Sequence, residues 1–114
     1  MASISLDARR VKVVPTLTPM AYFVVKREPG PAWEARSSMR EQKQWPEHAT
    51  FMEGVVHDGF VVLGGPLGDG SSILLIVDSE SEDEIRARFS EDPWVPLDLL
   101  RISSIEPWEV LLRA

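Results

Sequence analysis

At 114 residues the chain has room for one domain and a single apolar core. Hydrophobic residues make up 44% and charged residues 26%, a balance that folds rather than staying disordered. A net charge of -6 argues against a general nucleic-acid binder or docking on an anionic membrane, and the lack of cysteine excludes a disulfide, a thiolate nucleophile or a Cys-ligated metal site.

No apolar run reaches the roughly 18 residues of a membrane helix, and Arg9 and Arg10 are not followed by an apolar core, so no cleaved signal is expected. Together with the missing cysteines this fits a reducing compartment, and a cytoplasmic protein is expected. Residues 1–19 read as an irregular N-terminal arm or, alternatively, a disordered tail, because Pro15 and Pro19 stop the short run Val11, Val13, Val14. The domain proper is expected over residues 20–114.

Met20 to Arg27 is the first strand, rich in aromatic and β-branched residues (Tyr22, Phe23, Val24, Val25) and closed by Pro29-Gly30-Pro31. Trp33 to Gln44 is helix-compatible and charged on most sides. Pro46 interrupts it, and a helix start near Trp45 is expected, running to His57 or Asp58, with Gly59 as its left-handed C-terminal residue. Phe60 to Leu63 reads as a short buried strand, Gly64 to Gly70 as a flexible loop, and Ser71 to Asp78 as a third strand. Two such runs joined by glycines predict an antiparallel hairpin. Ser81 followed by Glu84 is a capping box that opens a second helix through Ile85, Arg88 and Phe89, stopped by Pro93. Leu97 to Ile105 is the fourth strand, and Trp108 to Leu112 a tail or final strand.

The order strand, helix, strand, strand, helix, strand predicts an α+β, ferredoxin-like βαββαβ domain: a four-stranded antiparallel sheet with two helices on one face. The remaining chain is too short to cover the other face. A second copy would cover it, which predicts a homodimer or a higher homo-oligomer, a dimeric α+β barrel.

His48 is the unexpected residue. On a helix it shares a face with Met52, Val55 and Val56, where the pattern asks for leucine. An ordinary pKa near 6.5 lets an imidazole accept and donate protons near neutrality, and a carboxylate on one nitrogen would fix its tautomer. A core histidine satisfied by backbone groups is the alternative. Asp92 lies near a helix C-terminus, where the dipole disfavours negative charge, so it either pairs with His48 or opens the turn before Pro93. Asp58 is about 80° around the helix from His48 and reads as an exposed turn residue. His57 lies half a revolution away and forms no metal pair with His48; with two His and no Cys, no metal site is expected. Gly64, Gly65 and Gly70 can let backbone N–H groups approach an anion, or simply form a hairpin loop. Trp33, Trp45, Trp94 and Trp108 fit an aromatic pocket, the core or a dimer contact. Arg36 and Arg40 can hold a carboxylate or form a solvated face.

The set His48, Gly65-Pro66, Gly70-Ser71 and Asp92-Pro93, in that order and spacing, resembles YciI-like (YCII-related) proteins over about residues 20–112. The resemblance implies a dimeric α+β barrel with a His-Asp pair, and one family activity is chloride elimination from a chlorinated hydroxyhydroquinone. By it, His48 is the histidine, Asp92 the carboxylate and Ser71 a pendant hydroxyl. Gly65, Pro66, Trp94 and Arg40 are the substrate-binding positions. The expected function is a small-molecule lyase or isomerase working by acid-base chemistry without a cofactor. The alternative is a non-catalytic dimeric module that binds a small ligand or a protein. Neither reading involves nucleic acid or membrane. This chain departs from the pattern in its N-terminal arm and in residues 29–44.

Overall fold

The computed structural model describes residues 21–114. The expected N-terminal arm and Met20 lie outside them. Strand β1 (Tyr22–Pro29) leads through irregular turns and a 3-10 turn (Met39–Glu41) to helix α1 (Trp45–His57). Strands β2 (Val61–Leu67) and β3 (Ser72–Asp78) form a hairpin, followed by helix α2 (Glu82–Phe89) and strand β4 (Leu100–Trp108). The sheet order is β2-β3-β1-β4, with every neighbouring pair antiparallel. This is the ferredoxin-like α+β fold.

Strand alternation sorts the side chains into two layers. Phe23 and Val25 on β1 lie opposite Val77 and Leu75 on β3. This face meets both helices: Val25, Leu75 and Val77 pack with Val55 of α1 and with Ile85 and Phe89 of α2. Arg27 is the next inward position on β1 after Val25. On β2, Val61 pairs with Val77 but Leu63 pairs with Ile76, so Val62 is an extra residue. Beyond this bulge the inward positions of β2 are Gly64 and Pro66, opposite Leu75 and Ile73. Two small residues under α1 leave unfilled space. A Cβ at Gly64 would sit 2.3 Å from Leu75 Cδ2, which would have to turn aside, and 3.0 Å from the Leu74 carbonyl oxygen.

Local signals explain the helices. Gln44 has φ 56°, a left-handed kink that separates α1 from the preceding turns, and Pro46 fits the first turn, where no N–H is needed. Gly59 has φ 80° and ends the helix as expected. At α2, Ser81 Oγ accepts the Glu84 N–H at 3.1 Å. The reciprocal half of the expected capping box is displaced by one residue: the Glu84 carboxylate accepts the Glu80 N–H at 2.9 Å and the Ser79 hydroxyl, not the Ser81 N–H.

Three other expectations are corrected. Residues 33–44 are not a long helix. The Gln42 side chain is buried there, accepts the Glu34 N–H and donates to the carbonyls of Glu34, Ser37 and Ser38, taking up groups a helix would have paired internally. Residues 64–67 belong to β2 rather than to a loop, leaving a short turn with Gly68 and Gly70 at positive φ. The last strand runs from Leu100 to Trp108, so both ends lie three residues later than expected.

Candidate active site

Three elements converge on one buried charge. Asp92 lies in the turns after α2, fully shielded from solvent. His48 Nδ1, from the second turn of α1, is 3.0 Å from Asp92 Oδ1 and 2.9 Å from Oδ2. Arg27 Nη1, from β1, is 3.1 Å from Oδ2. The Trp94 backbone N–H donates to Oδ1 at 2.9 Å, closing a tight turn around the carboxylate. Both sequence readings of Asp92 therefore describe the geometry: it shapes the turn and it meets His48.

A second set of contacts fixes the imidazole plane. The rings of His48 and Trp94 are stacked, with centroids 3.8 Å apart and planes 5° from parallel. Trp94 is itself buried, and its Nε1–H donates to the Lys43 carbonyl at 2.6 Å. Trp33 meets Trp94 edge-on at 5.6 Å, and Trp45 tilts against both Trp94 and His48. The irregular segment before α1 thus serves to hold the aromatic stack.

The electrostatics follow from these contacts. Burial pushes the Asp92 carboxyl up, but the hydrogen bonds from His48 and the Trp94 N–H and the charge of Arg27 outweigh it. The net result holds Asp92 below the usual carboxylate range and ionised at neutrality. Burial pulls the Arg27 guanidinium down from its ordinary value, opposed by Asp92. An ionised carboxylate only accepts hydrogen bonds, so His48 Nδ1 carries a proton, and in the neutral form of the ring the lone pair is on Nε2. Among the described residues Nε2 has no hydrogen-bond partner.

Beside this cluster lies a cavity of about 330 Å³. His48, Arg27, Trp45 and Glu53 line it together with Gly64, Gly65 and Pro66, and Met39, Met52, Ile73, Leu75 and Leu100 supply apolar walls. A concave, mostly apolar site with a few convergent polar groups is the usual form of a small-molecule site.

The residues singled out from sequence fall into three groups. His48, Gly65 and Pro66 line the cavity, and Asp92 lies directly behind His48. Trp94 supports His48 from the buried side rather than lining the cavity. Ser71 and Arg40 are not part of the lining: Ser71 is exposed in the β2–β3 turn, with its N–H on Asp69, and Arg40 is exposed over the Trp45 ring. Asp58 is exposed and paired with Arg88, and Val56 is 51% exposed, off the inward face of α1. Arg27 was missed. Its signal was a charged residue in phase with inward Phe23 and Val25. Among the described residues no group of three or more His, Asp and Glu could hold a metal ion, and no helix is long and apolar enough to cross a membrane.

No family model matches the chain, and no curated protein matches its sequence. Among solved structures, the chain resembles 5-chloro-2-hydroxyhydroquinone dehydrochlorinase from Burkholderia phenoliruptrix, determined in complex with 2,5-dihydroxybenzoquinone. The TM-score is 0.57 at 23% identity, over 77% of this chain and 93% of that one. The likeness extends over nearly the whole of the other protein, and it supports the ferredoxin-like fold assigned above.

Proposed function

We propose that the protein is a small-molecule lyase or isomerase of the YciI-like kind that works by proton transfer through His48. The observation that carries this reading is the placement of His48 between buried Asp92 and the cavity. Asp92 holds the proton on Nδ1, and Nε2 is the nitrogen left to take a proton from a bound molecule. As the proton arrives, the ring becomes an imidazolium beside an ionised carboxylate, which stabilises it. Such a base can remove a proton next to a carbonyl; the electron pair then expels a leaving group or takes up a proton elsewhere on the molecule. The structural neighbour's reaction, a dehydrochlorination, and its oxygenated ring ligand fit a cavity of this size and lining.

The working form in this reading is a homodimer joined through the outer face of the sheet. Leu63, Val62 and Trp108 stand exposed there at 62%, 42% and 45%. With Tyr22, Leu74 and Ile76 they border a groove of about 320 Å³. Apolar side chains gathered in this way mark an interaction surface.

The test is chloride release from 5-chloro-2-hydroxyhydroquinone and double-bond migration in small unsaturated lactones, followed by ion electrode and absorbance. Turnover of either class is expected, and His48→Gln should reduce it by about 10²–10⁴-fold. A folded His48→Gln protein that keeps full turnover would overturn the reading.

A further inference from the structure

Arg27 is used on one side only. Its Nη1 faces Asp92, with Met52 Sδ 3.9 Å away. Its Nε and Nη2 are buried and, among the described residues, have no hydrogen-bond partner. In a guanidinium these two nitrogens direct N–H bonds in parallel along one edge. That edge can meet both oxygens of a carboxylate at once. Holding Asp92 does not require it, since Nη1 already does so. Buried donors without acceptors destabilise a fold, so their presence beside a cavity needs a reason.

We propose that the Nε–Nη2 edge of Arg27 is the anchor for a carboxylate carried by the small molecule that enters the His48 cavity. The proposal rests on reading that cavity as the substrate site and narrows the substrate to a small, flat acid. Arg27 lines the same cavity as His48, so an acid held on this edge presents its carbon skeleton to Nε2. The apolar walls from Met39, Ile73, Leu75 and Leu100 lower the local dielectric beside this edge and so strengthen an ion pair there. Met52 lines the cavity and flanks the guanidinium at Nη1, and its unbranched side chain adapts readily to a bound molecule. The anionic residue in the lining, Glu53, is exposed, where water screens it.

The experiment compares benzoate with benzamide, which share a shape but not a charge. Binding is read by quenching of tryptophan fluorescence, since Trp45 lines the cavity and Trp94 stacks on His48. Wild-type protein should bind benzoate about tenfold or more tightly than benzamide, the usual scale for hydrogen bonds to a charged group. Arg27→Lys keeps a cation for Asp92 but loses the parallel N–H pair, and should remove most of that preference. His48→Gln should retain it. Equal binding of the two probes, binding of neither, a preference that survives Arg27→Lys, or one that disappears in His48→Gln would each overturn the anchor. The wild-type and His48→Gln measurements decide the matter even where Arg27→Lys does not fold. A His48→Gln protein with full turnover and intact benzoate preference would overturn the catalytic reading and leave the anchor standing.

Discussion

One sheet face supports two different interiors. Toward α2 it meets Ile85, Phe89 and Phe60, and the packing is apolar throughout. Toward the start of α1 the same face meets His48 and the tryptophans, and it buries Arg27 and Asp92 together. Phe89 forms the border: one side of it packs with Phe60 and Phe51, and the Arg27 guanidinium lies 4.9 Å from its ring centre. The first interior supplies folding free energy. The second uses some of it to keep charges and unfilled space where a ligand can reach them. Substitutions in the two interiors should therefore differ in kind, even when they destabilise by similar amounts.

The largest effect is expected at Asp92. Asp92→Ala leaves Arg27 buried without its anionic partner, and breaking such a pair typically costs about 3–5 kcal/mol. Urea denaturation measures this, and a loss below about 1 kcal/mol would show that water or a neighbour replaces the carboxylate. Ile85→Ala in the apolar interior should cost about 2–5 kcal/mol through its cavity. The distinction lies in the imidazole: nitrogen chemical shifts of His48 should keep the Nδ1–H tautomer in Ile85→Ala and lose it in Asp92→Ala. The same shifts in both variants would erase the proposed division.

Much of the apolar interior is readable in the chain. The run from Tyr22 to Val25, the helix start at Trp45-Pro46, the stop at Gly59 and the hairpin all carry local signals. The polar interior is less readable for a physical reason: its parts come from β1, α1 and the turn after α2, and no local pattern joins them. His48 stood out because an imidazole broke an apolar helical face. Arg27 did not, because a nearly continuous apolar strand conceals which positions alternate inward. Asp92 had a local role as a turn residue that masked its distant one. Ser71 followed Gly70 in sequence, but a chain position does not say which way a turn faces. Residues 33–44 had helical composition, and the Gln42 amide diverted their backbone groups.

Acid should separate the two interiors by a smaller amount. The folded pKa of Asp92 lies below its ordinary value of 3.8. A carboxylate depressed in this way stabilises the fold fully at pH above its unfolded value, and the contribution is lost as pH falls through the folded one. Stability should thus hold above about pH 4 and decline below it as Asp92 takes up a proton. Asp92→Asn has no such proton to bind, so its stability should be lower near neutrality and flatter below about pH 4. Ile85→Ala should keep the full wild-type slope. Parallel pH profiles for wild type and Asp92→Asn would place the acid sensitivity on other carboxylates.

The smallest effect on the fold itself is expected on the outer face, where the comparison is sharpest. Leu63 is 62% exposed on β2, with its side chain directed away from both interiors. Leu63→Glu in an isolated subunit removes no core contact, and surface changes of this kind usually stay within about 0.5 kcal/mol. A charge at the centre of an apolar interface is another matter, because it must be desolvated on assembly without a partner. Sedimentation should show wild type as a dimer and Leu63→Glu as a monomer with a nearly unchanged far-ultraviolet spectrum. A wild-type protein that sediments as a monomer would sink the proposed interface. It would also mean that the groove bordered by Tyr22, Leu63 and Trp108 faces water, and that the inner-face cavity is complete within one chain.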